Sequence, residues 1–267
     1  MAKIKLKQYG YIPELRQNPQ DFVLGGQASI SKNILQPDGD WRPFLVDGEH
    51  QLKNDVETNS CVSFASCNAI EILTKRIFKI EKNFSDRYLA IASDTGVNGN
   101  TPTKVLETLR KISGCIDEQW LPFSDEIKTQ EDYLRPNPLN KKFYDEGRKW
   151  LNRYDFEHQW VETNNEDLMR GLQQSPLLVS VVAWIQEGDF YVKPNGYKDN
   201  HATLLVAYEE GKCWWVFDSY PGSDGKYLKK LRWDFFASGT SIAKSFALKL
   251  AKPNCWQKFL RKVFGVL

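Results

Sequence analysis

Two cysteines within the segment DVETNSCVSFASCNAIEIL, Cys61 and Cys67, are of a type that could act as nucleophiles. Ser60 is a typical helix N-cap residue and predicts a helix that begins near Cys61. The dipole of a helix stabilises negative charge at its N-terminus, so a thiol at that position is favoured as the thiolate. Cys67 lies nearly two turns further along, where this effect has faded. We therefore expect Cys61 to be the candidate nucleophile and Cys67 to be a packing residue.

A nucleophilic thiol needs an imidazole as its base, and the chain has three histidines. His201 begins the apolar run HATLLVAYE, and Asp218 closes the next such run, CWWVFD. The short EEGK turn between the two runs predicts a β-hairpin that places His201 beside Asp218. A carboxylate that orients an imidazole, which in turn activates a thiol, is a known catalytic arrangement. His158 lies in a polar stretch, and His50, in a loop before Cys61, is the only competitor.

The elements that must position these residues change in type along the chain. Residues 1–38 are rich in proline, glycine and glutamine and predict an extended leader segment. Helical periodicity then predominates up to Pro176, beginning with a helix over about 61–76, and β-rich segments follow it. Helices first and strands second predict an α+β class with two lobes. We assign residues 39–250 to this domain and residues 251–267 to a C-terminal amphipathic helix, which could dock on the domain, on a partner or on a membrane surface.

Composition argues against several functional classes. The net charge of +2 gives no reason to expect nucleic acid as the main partner. No apolar window approaches the length of a membrane span, and the N-terminus lacks the apolar run of a signal peptide. Five cysteines leave at least one thiol unpaired within the chain, which favours a reducing compartment such as the cytoplasm. No CxxC or HExxH motif occurs, so we expect neither a metal nor a cofactor.

Several motifs in this order together resemble the papain-like cysteine peptidase family. TNSCVSFASCNAIE resembles the family's nucleophile helix, and DNHATLLVAYEEGKCWWVFDSYPG resembles its catalytic histidine strand and the turn that follows. DWRPFLVDGEHQLKND resembles the N-terminal segment of the mature enzymes, and YGYIPELRQNPQDF resembles the leader of microbial members. The chain is thereby identified as a divergent microbial or viral member.

The resemblance implies a two-lobed fold, with a helical lobe built on the nucleophile helix and a β-sheet lobe that carries the catalytic histidine. It makes Cys61 the nucleophile and His201 the base and acid. Asp218 replaces the asparagine that usually orients the histidine, and Tyr220 replaces the tryptophan that shields that hydrogen bond. The implied activity is that of a thiol endopeptidase, which hydrolyses a polypeptide substrate through a thioester acyl-enzyme.

One departure concerns the oxyanion hole, where the family has a glutamine six residues before the nucleophile. Here that position is Asp55, and an ionised carboxylate would repel the developing oxyanion. Gln51 and Asn54 are the alternative donors, and we favour Gln51. By resemblance, the substrate cleft is lined by the turn Asn98, Gly99 and Asn100, and by Asn200 beside the histidine. The leader is too short for the family's usual propeptide and is expected to run along the surface or through the cleft.

Asp55 also motivates a different hypothesis, in which an inactive homologue with the same fold serves as a binding or assembly module. An isopeptidase or a transglutaminase-like acyl transferase is a further alternative, since the same acyl-enzyme can transfer its acyl group to other acceptors. The last alternative is a structural role through the C-terminal helix.

Overall fold

The computed structural model describes residues 7, 9–14 and 33–252. Beyond Lys252, the predicted C-terminal helix lies outside the described residues. The helices are α1 Cys61–Phe78, α2 Asp86–Ala92, α3 Pro102–Thr108 with a π-helical continuation Leu109–Ser113, α4 Gln130–Tyr133, α5 Lys141–Arg153 and α6 Asn165–Leu172, with 3₁₀ turns at Arg42–Phe44 and Glu118–Trp120. The strands are β1 Leu52–Lys53, β2 Val56–Glu57, β3 Tyr154–Val161, β4 Leu177–Val181, β5 Ile185–Glu187, β6 Phe190–Val192, β7 His201–Glu209, β8 Cys213–Phe217, β9 Leu228–Arg232 and β10 Ala243–Leu250.

Eight of these strands form one sheet in the order β3-β10-β4-β7-β8-β9-β6-β5. Neighbouring strands are antiparallel except for β6 and β9, which are parallel. β7 and β8 form the predicted hairpin, with Glu209 paired to Cys213 at its turn. The helices and this mixed sheet confirm the predicted α+β class, and β7 and β8 lie near the middle of the sheet.

Helix α1 is the central helix of the fold and packs against β7. Every residue from Cys61 to Thr74 is buried. A helix that carries apolar residues on all its faces is stable only inside a protein, and the sequence of α1 has this character, with isoleucine, leucine, phenylalanine and alanine around its circumference. Its N-terminus is consequently held against β7, the strand that carries the candidate base.

One detail of the predicted elements is wrong. The helices do not all precede the sheet, because β3 lies between α5 and α6 and pairs with β10 at the sheet edge. Its sequence, YDFEHQWV, alternates large apolar and polar residues as a half-buried strand does. Ser60 stands at the N-cap of α1 as predicted, and its hydroxyl donates to the Thr58 carbonyl and makes no capping bond to the helix. Among the described residues, no helix is both long enough and apolar enough to cross a bilayer.

Candidate active site

Cys61 is the first residue of α1 and is fully buried against the start of β7. The backbone N–H of Ala202 hydrogen-bonds its sulfur, which places the thiol beside the His201–Ala202 peptide. Burial raises the pKa of the Cys61 thiol, and the charges of Asp218 and Glu57 raise it further. The Ala202 bond and the N–H of Val62 in the first turn of α1 act in the opposite direction but do not offset the burial. With the surroundings as they stand, the thiol is therefore the favoured form.

His201 and Asp218 form a buried pair at the open ends of the β7–β8 hairpin. The Nε2 atom of His201 lies 2.5 Å from Oδ1 of Asp218. Burial alone would raise the pKa of Asp218, but the charges of His201 and Lys229 and their hydrogen bonds lower it to about 2. Nδ1 of His201 is buried and has no hydrogen-bond partner among the described residues. With Nε2 taken by the carboxylate, Nδ1 is the ring nitrogen left to exchange a proton.

Three aromatic rings enclose the imidazole of His201. Tyr9, Trp184 and Tyr220 each make an edge-to-face contact, at ring-centroid distances of 5.5, 5.6 and 5.5 Å. Tyr220 thus lies beside the His201–Asp218 bond, where the resemblance places a shielding side chain. Exclusion of water strengthens the hydrogen bond between the ring and the carboxylate, because the local dielectric is low.

The β1–β2 hairpin resolves the position of Asp55. Leu52 pairs with Glu57 and Lys53 with Val56, so Asn54 and Asp55 form the two-residue turn. Both turn residues have positive φ, as a type I′ turn requires, and both are exposed. Asp55 therefore points away from the site, and Asn54, whose amide lies 3.4 Å from Asp125, is excluded as the oxyanion donor.

Gln51, which precedes this hairpin, is fully buried beside the candidate triad. Its backbone N–H donates to the Ser219 carbonyl at 3.0 Å, and its side-chain oxygen accepts from the Ser219 hydroxyl at 2.8 Å. Its Nε2 donates to Glu57 at 2.8 Å and to the Tyr9 carbonyl at 3.2 Å. These bonds fix the amide so that one of its N–H groups faces the chain that lies over the site.

Glu57 joins Gln51 to the aromatic enclosure. It accepts from the Tyr220 hydroxyl at 2.5 Å and from Lys7 at 2.9 Å. Burial would raise the pKa of Glu57, but the hydrogen bonds from Tyr220, Gln51 and Lys7 lower it overall. The carboxylate therefore carries a negative charge and orients both the oxyanion-donor candidate and the tyrosine over His201.

Residues 9–14, which we call the 9–14 segment, lie in the cleft over these groups. Asn100 donates its backbone N–H to the Gly10 carbonyl at 2.9 Å and accepts from the Ile12 N–H at 3.0 Å, as in a parallel β-bridge. The Tyr9 N–H donates to the Asn200 carbonyl at 3.2 Å. Of the two courses expected for the leader, this part follows the cleft.

The structure places the predicted cleft residues as follows. Asn100 offers its backbone to the 9–14 segment, while its side chain turns inward to Ser93 and Thr95. Asn200 donates from its side chain to the Lys7 carbonyl at 2.6 Å. Gly99 has positive φ and lies directly under the 9–14 segment. Asn98 is exposed on the same turn.

The competing residues have other surroundings. The Nε2 atom of His158 lies 2.8 Å from Oε1 of Glu107. The ring of His50 contacts Tyr220, which also contacts His201. Cys67 is buried in the core of α1. The described residues include no cluster of three or more His, Cys, Asp or Glu side chains that could hold a metal ion.

Sequence reasoning missed two charged residues at the site, the partly buried Glu57 and the buried Lys229. Lys229 donates to Asp218 at 2.9 Å from the neighbouring strand β9. A signal was present, because Lys229 and Leu231 occupy alternate positions of one short strand and therefore share a face. A lysine on the same face as a buried leucine indicates a buried charge that needs a partner.

No protein-family model matches the sequence, and neither does any curated protein. Solved structures, in contrast, match the chain. Procathepsin L2 from the larval midgut of Tenebrio molitor matches with a TM-score of 0.64 and 18% identity, over 90% of this chain and 78% of that one. Procathepsin L 3 from the same source matches with a TM-score of 0.58 and 18% identity, over 81% of this chain and 71% of that one. Bromelain from Ananas comosus, in complex with the E64 inhibitor, matches with a TM-score of 0.57 and 19% identity, over 79% of this chain and 98% of that one. The chain therefore has the two-lobed α+β fold of the papain-like cysteine proteases.

Proposed function

We propose that this protein is a cysteine-type peptidase that hydrolyses peptide bonds through Cys61, His201 and Asp218. The observation that carries the proposal is the buried bond between His201 Nε2 and Asp218, formed where β7 meets the N-terminus of α1. That bond leaves Nδ1 of His201 as the ring nitrogen that can accept the thiol proton, and the sulfur lies beside the His201–Ala202 peptide. A nucleophile, a base and an orienting group in this relation are what acyl transfer by a thiol requires.

In the proposed reaction, Nδ1 of His201 takes the thiol proton, and the sulfur of Cys61 attacks the substrate carbonyl carbon. Helix N-termini expose backbone N–H groups without intrahelical acceptors, so the N–H of Cys61 is one donor to the oxyanion. The Nε2 group of Gln51 is the other. The C–N bond then breaks as His201 returns the proton to the leaving amine, and water releases the acyl group from the thioester.

The 9–14 segment supports a latent resting state for this enzyme. The Tyr9 carbonyl oxygen accepts from Nε2 of Gln51, which is the bond that a substrate oxygen would need. The Tyr9 ring also contacts His201. We infer that a substrate must displace this segment, and that the raised pKa of Cys61 belongs to the covered state.

The test compares the full chain with Cys61→Ala and, as a matched control on the same helix, Cys67→Ala. The three proteins are treated with iodoacetamide, and the alkylated cysteine is identified by mass spectrometry. They are also incubated with a peptide library. We expect Cys61→Ala alone to lose both turnover and the labelled site. Peptide turnover that survives in Cys61→Ala would contradict the proposal.

The burial of the whole triad favours one other candidate, a binding module in which the 9–14 segment is a permanent part of the fold. Such a module would neither be labelled nor turn over peptide after the segment has been loosened by substitution. An isopeptidase or acyl transferase would be labelled at Cys61 and would prefer amine acceptors to water. Product analysis with an added amine distinguishes these outcomes.

A further inference from the structure

Lys229 is a buried lysine at the far side of the candidate triad. It lies on β9, and its ammonium group donates to Oδ2 of Asp218 at 2.9 Å and to the Tyr220 carbonyl oxygen. The side chains of Lys229 and Asp218 are 2% and 0% exposed. An ion pair removed from water to this degree interacts far more strongly than a surface pair.

The two oxygens of Asp218 have separate partners. Oδ1 accepts from His201 and Oδ2 accepts from Lys229. The backbone of Asp218 is fixed as well, because its N–H donates to the Tyr227 carbonyl at 2.9 Å. Since the ammonium group holds Oδ2, the carboxylate cannot rotate without breaking a charged bond. Oδ1 consequently stays directed at Nε2 of His201.

The charge of Lys229 matters as much as its position. The negative charge of Asp218 raises the pKa of Cys61, so an unpaired carboxylate would oppose formation of the thiolate. A positive charge on the far oxygen offsets this effect at the sulfur. The carboxylate can then act as a hydrogen-bond acceptor for His201 while adding little net charge to the site.

We propose that Lys229 is a positioning residue of the catalytic site: it clamps Asp218 toward His201 and neutralises the carboxylate, so that the pair acts as an uncharged acceptor. The proposal rests on the proposed function, because it assigns Lys229 a part in activating Cys61. It also explains how an aspartate serves where the resembling family has a neutral asparagine.

Other charged and titratable groups face the same site and must be held constant in the test. On the hairpin side, Glu57 is paired with Lys7 at 2.9 Å. The loop before β1 contributes His50, whose pKa burial lowers. The phenols of Tyr9 and Tyr220 have pKa values raised by burial and do not ionise near neutral pH. None of these groups contacts Oδ2 of Asp218.

The experiment uses the full chain as wild type, Lys229→Met, Asp218→Asn and the double variant. The rate of Cys61 alkylation by iodoacetamide is measured across the pH range, and the ring signals of ¹³C-labelled histidine are followed by NMR. Lys230→Met is the matched control, because it makes the same change at the next residue of β9, on the opposite face. Lys229→Arg tests whether a positive charge at this position is enough.

We expect Lys229→Met to move the whole curve of alkylation rate against pH, on its acid and its alkaline limb, to higher pH by about one unit. The unpaired carboxylate of Asp218 makes the loss of a proton from Cys61 and His201 harder. At a pH on the acid limb this is roughly a tenfold lower rate. Asp218→Asn alone should move the limbs in the opposite direction, because the lysine is then unpaired. The double variant should return close to wild type, Lys229→Arg should shift little, and Lys230→Met should not shift.

The proposal would be overturned if the curves of alkylation rate against pH coincided in all variants. It would also be overturned if the curve of the double variant were shifted as far as that of a single variant. If Lys229→Met does not fold, Asp218→Asn and the double variant still decide, because the double variant leaves no buried charge unpaired. The NMR arm needs no activity. A chain that is labelled at Cys61 neither as wild type nor after the 9–14 segment has been loosened by substitution contradicts the proposed function, while the movement of the His201 signal still tests Lys229.

Discussion

A Cβ atom added to Gly99 would lie 1.7 Å from the carbonyl oxygen of Gly10, so these two glycines cross in direct backbone contact. Both have positive φ, at 99° and 95°. The crossing brings the 9–14 segment down onto the floor of the cleft. Only the absence of a side chain on Gly99 permits it, and a side chain on Gly10 would meet Asn59 instead. The cover over the candidate site therefore depends on two positions that can be altered without touching the triad.

Gly10→Ala should expose Cys61. A Cβ on Gly10 would lie 1.9 Å from the Asn59 carbonyl oxygen, and the backbone there also disfavours any side chain. A penalty of about 1–2 kcal/mol from backbone conformation alone corresponds to roughly tenfold more of the open state. We expect alkylation of Cys61 by iodoacetamide to accelerate by at least that factor.

The control for this variant is Gly225→Ala, which has positive φ but no atom within 4 Å of the added Cβ. It carries a similar conformational penalty far from the cleft contact and should leave the alkylation rate unchanged. If folded Gly10→Ala were alkylated no faster than this control, the 9–14 segment would not limit access to Cys61.

Gln51→Ala should slow peptide turnover by roughly 10²–10³-fold, the usual effect of removing one oxyanion donor. It should not slow alkylation of Cys61, which forms no oxyanion, and loss of the bond to Tyr9 should make the thiol easier to reach. Turnover and alkylation of the same samples measure the two effects. Asp55→Asn, at the exposed hairpin turn, is the control, and a comparable loss of turnover there would mean that Gln51 has been assigned wrongly.

A peptide with the sequence of residues 9–14, YGYIPE, should slow alkylation of the Gly10→Ala variant again. Tyr11 is buried in the cleft, and its hydroxyl hydrogen-bonds Ser180. Burial of such an aromatic side chain contributes about 1.5–3 kcal/mol, so replacing the residue equivalent to Tyr11 by alanine should weaken the peptide by roughly ten- to a hundredfold. A scrambled peptide of equal inhibitory strength would show that binding is non-specific.

The contribution of Glu118 to the free energy of unfolding should fall as pH rises from about 4.5 to 7. Burial raises the pKa of Glu118 to about 7 from its ordinary value of 4.5. Between these values the folded state holds a proton that the unfolded state has lost, so rising pH favours unfolding. The shift corresponds to at most about 3 kcal/mol. Urea unfolding of wild type and Glu118→Gln measures it.

Glu118→Gln should flatten this pH dependence, because the amide does not titrate. Part of the slope should remain, since burial also raises the pKa values of Glu71 and Asp86 well above their ordinary range. An unchanged slope in Glu118→Gln would assign the whole effect to those two residues.

The order of the candidate triad could be predicted from local signals. A cap residue before Cys61 and a short turn between two apolar runs were enough to identify Cys61, His201 and Asp218 as partners. Each signal lies within about twenty residues, and the turn itself brings the strand ends together. Strand β3 could have been found in the same way, from the alternation in YDFEHQWV.

The remaining parts of the site depend on contacts between distant segments. The bond from Tyr9 to Asn200 joins residues far apart in the chain, and no periodicity indicates it. Lys229 was missed because its burial depends on which face of β9 turns inward. Glu57 was missed because it reads as an ordinary surface glutamate, and only the pairing of β1 with β2 directs it toward Gln51.

Because of the β1–β2 hairpin, residues of the candidate site can be further apart in the sequence and still lie close together in space. Gln51 precedes Cys61 by ten residues instead of six, yet the additional residues leave and return through one tight turn. The turn is exposed and bears no part of the triad, so its length is free to drift while the amide and the thiol stay in place. A search pattern with fixed spacing would select Asp55 in this chain and overlook Gln51. Recognition of such distant similarity therefore has to rest on which residues meet in space.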